Sequence, residues 1–410
     1  MITFLISIHA GKVLSVEEFG TLQILRTILG YSTLYALGIP IAFMYDLPKE
    51  ISLNDRKTIY KIESSLFSLA ALSLLFVPLG FLFSVFGFNL NGEPIGKSWF
   101  ILGLIVFAES MRSRSTLLLR SYQSFKWLSY LNLLYPVVYA PLAYFSIEYF
   151  GVEGFLWSMF ISSLSVYLFS IRFINRIDHF SIDIHYLITK IKVGLPIKLG
   201  SLIWTFSIAG GLYIVSDVFD SFQTGIYGFS MLCGTALMVL PSVISEIFTP
   251  KVIGHFTLNE IKGSINFTIV FWGVILFITV GFLSSILALV FFDYLIIYLL
   301  PKYMSALGLI TIFILGYFSS LTKGFTRDYL ILNGEQNTLF ILDGVILLIV
   351  FAAQVLSGYV FNSIYLIVAS TSVGLFLMSF IPLLYYLIKY SVGHKLRLIT
   401  TIVLSCLSIN

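Results

Sequence analysis

Nine stretches of this chain run for 18 residues or more without an Asp, Glu, Lys or Arg: 27–45, 64–92, 127–147, 154–171, 199–216, 221–245, 263–292, 303–322 and 344–388. A helix that crosses a bilayer needs about 20 mostly apolar residues, and short charged loops separate these runs. The longest is interrupted at Ser357-Gly358-Tyr359 and Asn362-Ser363, so it reads as two spans. Residues 98–119 form another span, carrying Glu109, Arg112 and Arg114. That makes eleven full spans between Phe19 and Lys389, flanked by shorter segments at 1–14 and 398–410, the latter the start of a possible further span. A soluble domain has about 25% charged residues, whereas this chain has 11%. Outer-membrane barrels use alternating segments of about ten residues, and these runs are too long and too uniformly apolar for that. The sequence therefore predicts an all-α polytopic membrane protein of about 12 transmembrane helices.

Lysine and arginine give the orientation. The segments 46–62, 112–126, 172–192, 250–262, 323–327 and 389–397 carry 19 of them, while the alternate loops carry only Lys12, Lys97 and Lys302. The basic loops are expected in the cytoplasm, with residue 1 on that side and Ser15–Glu18 outside. No basic residue precedes the apolar start, so no secretory signal peptide is visible.

The halves repeat. Glu18-Phe19-Gly20-Thr21-Leu22 opens one span and Gln223-Thr224-Gly225-Ile226-Tyr227 another, 205 residues on. Each leads toward a proline, Pro40 or Pro241, and each ends in a basic loop after a second, Pro48 or Pro250. An offset of six spans gives a parallel repeat. The expected division is 1–193 and 194–397.

Two stretches carry a resemblance. EEFGTLQILRTILGYSTLYALGIP and DSFQTGIYGFSMLCGTALMVLPSVISEIFTPKV resemble the second and eighth spans of Wzx-type polysaccharide flippases, which transport O-antigen and capsule precursors. Those flippases share a superfamily with the multidrug and toxic-compound extruders (MATE) and the lipid II flippases. The resemblance covers essentially the whole chain, through the order of its motifs. It implies two six-helix lobes around a central cavity that opens alternately to either side. It also implies a bacterial cytoplasmic (inner) membrane location and a substrate, a polyprenyl-pyrophosphate-linked oligosaccharide moved to the outer leaflet. Family members have a longer first span and often continue past residue 410, so both ends read as shortened.

A pyrophosphate calls for cations, and arginine's planar fork suits phosphate oxygens. Arg26 lies about 10 Å into its helix, on a polar stripe with Gln23, Thr27, Gly30 and Thr33. It is expected either to face the cavity, or to snorkel or pair with Glu17 or Glu18. Lys198 starts a second stripe with Ser201 and Thr205; it too either faces the cavity or snorkels to the nearby loop. Gly210-Gly211 would permit a bend in that helix. Arg112 is a third candidate cation, and Glu109, three residues before it, can neutralise it or take up a proton when the substrate displaces it. Asp343 is a second candidate for ion coupling. Tyr31, Tyr35 and Tyr213 are candidate stacking platforms for sugars.

Nothing points to an enzyme. The five histidines (9, 179, 185, 255 and 394) lack ligand spacing, and Cys233 and Cys406 sit in apolar runs, so neither a metal nor any other cofactor is expected. A net charge of +4 gives no footprint for nucleic acid. The expected partners are membrane lipids, the lipid-linked oligosaccharide, and a glycan polymerase and glycosyltransferases, with the protein itself a monomer. The rival readings are a cation-coupled multidrug extruder of the same fold, whose cavity would offer carboxylates, and a membrane polymerase or ligase, which would carry a long outer loop.

Overall fold

The computed structural model describes residues 2–86, 96–173, 180, 183–238, 267–320, 326, 327, 330 and 334–390. Residues 239–266 and 391–410, with Pro241, Pro250 and the segment 398–410, lie outside this set. The described residues form helices and no strand. The helices are α1 (Ile2–Val13), α2 (Val16–Ser32), α3 (Ile39–Ser52), α4 (Arg56–Leu72), α5 (Phe76–Val85), α6 (Gly96–Ser121), α7 (Phe125–Ser170), α8 (Ile184–Val218), α9 (Ser221–Ala236), α10 (Phe267–Leu299), α11 (Leu307–Ser320), α12 (Gln336–Val355) and α13 (Ile364–Tyr390). Among the described residues, seven helical rods are long and apolar enough to cross a membrane, or eight with α2 and α3 taken as one bent span. This is a multi-pass membrane protein.

The breaks have local causes. Ser15 caps α2: its hydroxyl accepts from the Glu18 N–H at 3.1 Å, and Glu18 accepts from the Ser15 N–H at 2.8 Å, a capping box. The span that begins there turns by 71° before α3. Leu37 (φ 48°) and Gly38 (φ 76°) are left-handed at the turn, and a proline at the start of α3 favours a fresh helix beginning. Gly151 (φ 56°, ψ −133°) divides α7 into two rods, in the gap between the runs 127–147 and 154–171. Leu356–Val360 forms a π-turn and Asn362 has φ 46°, which separates α12 from α13. By contrast, α8 runs unbroken through Gly210-Gly211.

Clustering of contacts divides the described chain into two compact units. The first takes residues from 1–205, 212–229 and 298–305; the second from 206–211, 230–297 and 306–410. In the first, α2 and α9 cross at the two glycines that the repeat equates. A Cβ on Gly225 would lie 1.9 Å from the Val16 carbonyl oxygen, and one on Gly20 would lie 2.9 Å from the Gly225 nitrogen. Phe19, Phe229 and Tyr303 pack around this crossing, with ring centroids 4.2–6.0 Å apart. Lys302 donates to the backbone carbonyls of Lys12 and Leu14.

At the lysine- and arginine-rich end of the same unit, Lys61 pairs with Asp183 (2.6 Å) and Lys190 with Asp46 (2.7 Å). Tyr186 stacks on Phe43 between them. The hydrogen bond from Lys61 holds the Asp183 carboxyl below the usual carboxylate range. A lowered folded value stabilises the fold above the ordinary Asp value, about 3.9, and that stability disappears as pH falls through the folded value. We therefore expect the melting temperature of the detergent-solubilised protein to drop less between pH 5 and pH 3 in Asp183→Asn than in the unmodified chain. Equal drops would remove the pair's role.

The second unit has a polar interior. Gln354 on α12 donates to the Ser207 carbonyl on α8 (3.0 Å) and to the Thr371 hydroxyl on α13 (2.9 Å). Asp343 is buried on α12 at 1% exposure. Glu335, ahead of α12, accepts from Lys389 and Tyr385 on α13.

Candidate functional site

The first unit encloses a cavity of about 480 Å³ between α2, α3, α4, α6, α7 and α8. Its polar lining is unusual for an apolar span. Glu109, Arg112 and Arg114 come from α6, Lys198 from α8 and Thr33 from the turn after α2, with Ser32, Tyr35, Ser110, Ser113 and Thr116 between them. Arg112, Arg114 and Lys198 bring cations to this lining and Glu109 a carboxylate.

Each charge has its own surroundings. Glu109 and Arg112 form the expected i,i+3 pair: one carboxylate oxygen accepts from Nε at 3.1 Å and from a terminal nitrogen at 2.7 Å. The other accepts from the Ser163 hydroxyl on α7 at 2.6 Å. The Arg112 guanidinium also lies over the Tyr135 ring, 4.7 Å from its centroid. Lys198 donates to the Thr33 hydroxyl at 2.7 Å, and no carboxylate among the described residues pairs with it. Lys198 thus lines the cavity. Arg114, which the sequence offered only as a neighbour of Arg112, is 4% exposed and lies over Phe67 at 5.2 Å. Its burial on the lining face had no signal in the charge pattern.

The polar stripes divide. Gly30 and Thr33 line the cavity. Thr27 is buried and donates to its own helix at the Gln23 carbonyl, while buried Gln23 lies against Gly228 of α9. Ser201 and Thr205 likewise donate to carbonyls of their own helix. Arg26 is outside the cavity lining. It donates to the Ser7 hydroxyl on α1 at 3.1 Å and lies over Phe155 of α7 at 5.7 Å; no ion pair joins it to Glu17 or Glu18. Asp343 belongs to the second unit and does not contribute to this cavity. Tyr35 lines it; Tyr31 and Tyr213 do not. Among the described residues no cluster of His, Cys, Asp and Glu could hold a metal ion.

No protein-family model and no curated protein sequence matches the chain. Solved structures do. An inward-facing multidrug-resistance MATE transporter of the MOP superfamily superposes with a TM-score of 0.74 at 13% identity, covering 95% of this chain and 94% of that one. The chain has the MATE fold. The inward-closed lipid II flippase MurJ matches over 100% of this chain and 90% of its own, with a TM-score of 0.65 at 14% identity. A third match is a MOP superfamily transporter from Pyrococcus furiosus, described as having a binding pocket of reverse polarity that suggests a different function. It has a TM-score of 0.62 at 13% identity and covers 95% of this chain and 92% of that one.

Proposed function

We propose that the protein is a transporter that flips a polyprenyl-pyrophosphate-linked oligosaccharide from the cytoplasmic to the outer leaflet for cell-surface polysaccharide synthesis. The observation that carries this reading is the charge of the cavity. Lys198 lines it with no carboxylate among the described residues paired to it, beside the Arg112–Glu109 pair, and a pyrophosphate diester is an anion that such cations can hold. Hydroxyls of Ser32, Thr33, Ser110, Ser113 and Thr116 supply hydrogen-bonding groups for sugar. A drug extruder handling cations calls for the opposite sign. The Pyrococcus transporter, whose reverse-polarity pocket is described as suggesting a different function, supports the reading that this fold serves more than one function.

In this reading Lys198 is the first anchor, because no carboxylate competes for it. Arg112 follows, exchanging Glu109 for a phosphate oxygen. The basic loops face the cytoplasm, and lobes 1–193 and 194–397 alternate in opening the cavity to either side. The test uses cells that depend on this protein for surface glycan. Lys198→Ala should remove surface glycan and accumulate lipid-linked oligosaccharide, at normal protein level. A charge-assisted hydrogen bond contributes about 1.5–3 kcal/mol, so transport should fall by about 10- to 100-fold. Lys198→Arg should retain most of it. Full surface glycan in Lys198→Ala would contradict the proposal.

A further inference from the structure

We infer that Arg26 is a second anion station, which takes the pyrophosphate after Lys198 and Arg112 release it; this rests on the anion-transport reading above. The starting point is an uncompensated charge. Arg26 is half-buried within α2 and uses its five N–H donors for one hydrogen bond, to Ser7. No carboxylate among the described residues lies within ion-pairing distance of it. Three other cations of the first unit have such partners: Arg112 has Glu109, Lys61 has Asp183, and Lys190 has Asp46. A guanidinium in an apolar span without a counter-charge is costly, and such a charge marks a substrate or ion path by default.

Its position fits a path. Arg26 on α2 and Thr33 at the turn that ends it are seven residues apart, about two helical turns and roughly 10 Å, so both lie on one side of this segment. That side lines the cavity at Leu29, Gly30 and Thr33. In the other direction, six residues on, stands Gly20 at the closed crossing with α9. An anion leaving the cavity toward that end therefore passes the level of Arg26.

A column of rings on α7 separates the two stations here. Tyr135 lies under Arg112, Tyr139 stacks on Tyr135 at 5.6 Å and meets Phe155 edge-on at 5.9 Å, and Phe155 lies under Arg26. Tyr139 and Phe155 are buried, so the column shields Arg26 from the cavity while the crossing shields it from the other side. The station is thus occluded in this state.

Full-length protein in nanodiscs tests this with phenylglyoxal, which modifies arginine, and farnesyl pyrophosphate as the anionic probe. Modification of Arg26, read by mass spectrometry, should be slow in the unmodified chain and about tenfold faster in Gly225→Leu, where overpacking opposes the crossing. Farnesyl pyrophosphate should slow it again, and farnesol should not. In transport assays Arg26→Leu should lower the maximal rate at least tenfold with a smaller change in apparent affinity, and Arg26→Lys should restore part of the rate. Gly225→Ala replaces Gly225→Leu if the larger side chain prevents folding. Failure of the probe to protect Arg26, equal protection by farnesol, or an unchanged rate in Arg26→Leu would each overturn the station. Those results leave the flippase reading intact if Lys198→Ala still weakens binding of farnesyl pyrophosphate. Loss of that dependence as well would end both.

Discussion

A leucine at position 225 should force α2 and α9 apart at their crossing. The Cβ alone would sit 1.9 Å from the Val16 carbonyl oxygen and 2.6 Å from its carbon. Both are backbone atoms, so no rotamer change relieves the clash. Gly20 faces the same point from the other helix, where a Cβ added to it would lie 2.9 Å from the Gly225 nitrogen. Overpacking of this kind costs about 1–3 kcal/mol, roughly a 5- to 150-fold shift between a closed and an open crossing. The readout is maleimide labelling of Thr224→Cys, a 1% exposed position, with Cys233 and Cys406 replaced by alanine. Labelling should accelerate about tenfold or more in Gly225→Leu. Unchanged labelling with unchanged thermal stability would show that the glycines do not hold the crossing.

The second large effect is expected at Glu109. Its carboxylate holds Arg112 from one oxygen and Ser163 from the other, with Tyr135 under the guanidinium and Lys198 and Arg114 on the same cavity. An anion that claims Arg112 displaces the Glu109 carboxylate and then lies beside a like charge. Removing that charge relieves the repulsion, so Glu109→Gln should bind farnesyl pyrophosphate more tightly. A coupling role for Glu109 also predicts that any pH dependence of this binding in the unmodified chain is absent in Glu109→Gln. Vesicle transport by Glu109→Gln should likewise ignore an imposed pH gradient. A pH profile identical in both proteins would exclude Glu109 from coupling, leaving Asp343 of the second unit as the remaining candidate.

Much of the fold could be read along the chain, because a membrane span is written in consecutive residues. The lengths of the apolar runs gave the helices, and the interruption at Gly358 and Asn362 marked a real break. Gly20 and Gly225, paired through the repeat, proved to touch. Glycine was a less certain guide elsewhere. Gly210-Gly211 permits a bend, yet α8 runs unbroken through it, and Gln354 holds it one turn earlier at Ser207. The bend at Leu37-Gly38 depends on a left-handed leucine, which nothing in its side chain announces.

The cavity was legible by residue type and much less by partner. The Glu109–Arg112 pair lies within one helical turn and was visible. Lys198 meets Thr33 across 165 positions, a contact that only tertiary packing sets. Helical period placed Gln23 and Thr27 with Arg26, but a short hydroxyl can satisfy itself on its own backbone, as Thr27 does. Arg114 and Arg112 look alike in sequence, two positions apart, and packing buries one while leaving the other paired at the cavity.

The central claim is that this cavity selects an anion. Equilibrium binding to the full-length protein in nanodiscs should show farnesyl pyrophosphate bound with an affinity that falls about 10- to 100-fold in Lys198→Ala, and the lipophilic cation tetraphenylphosphonium bound poorly and indifferently to that change. Tight binding of tetraphenylphosphonium, improved by Lys198→Ala, would contradict the account and make the protein an extruder of cations.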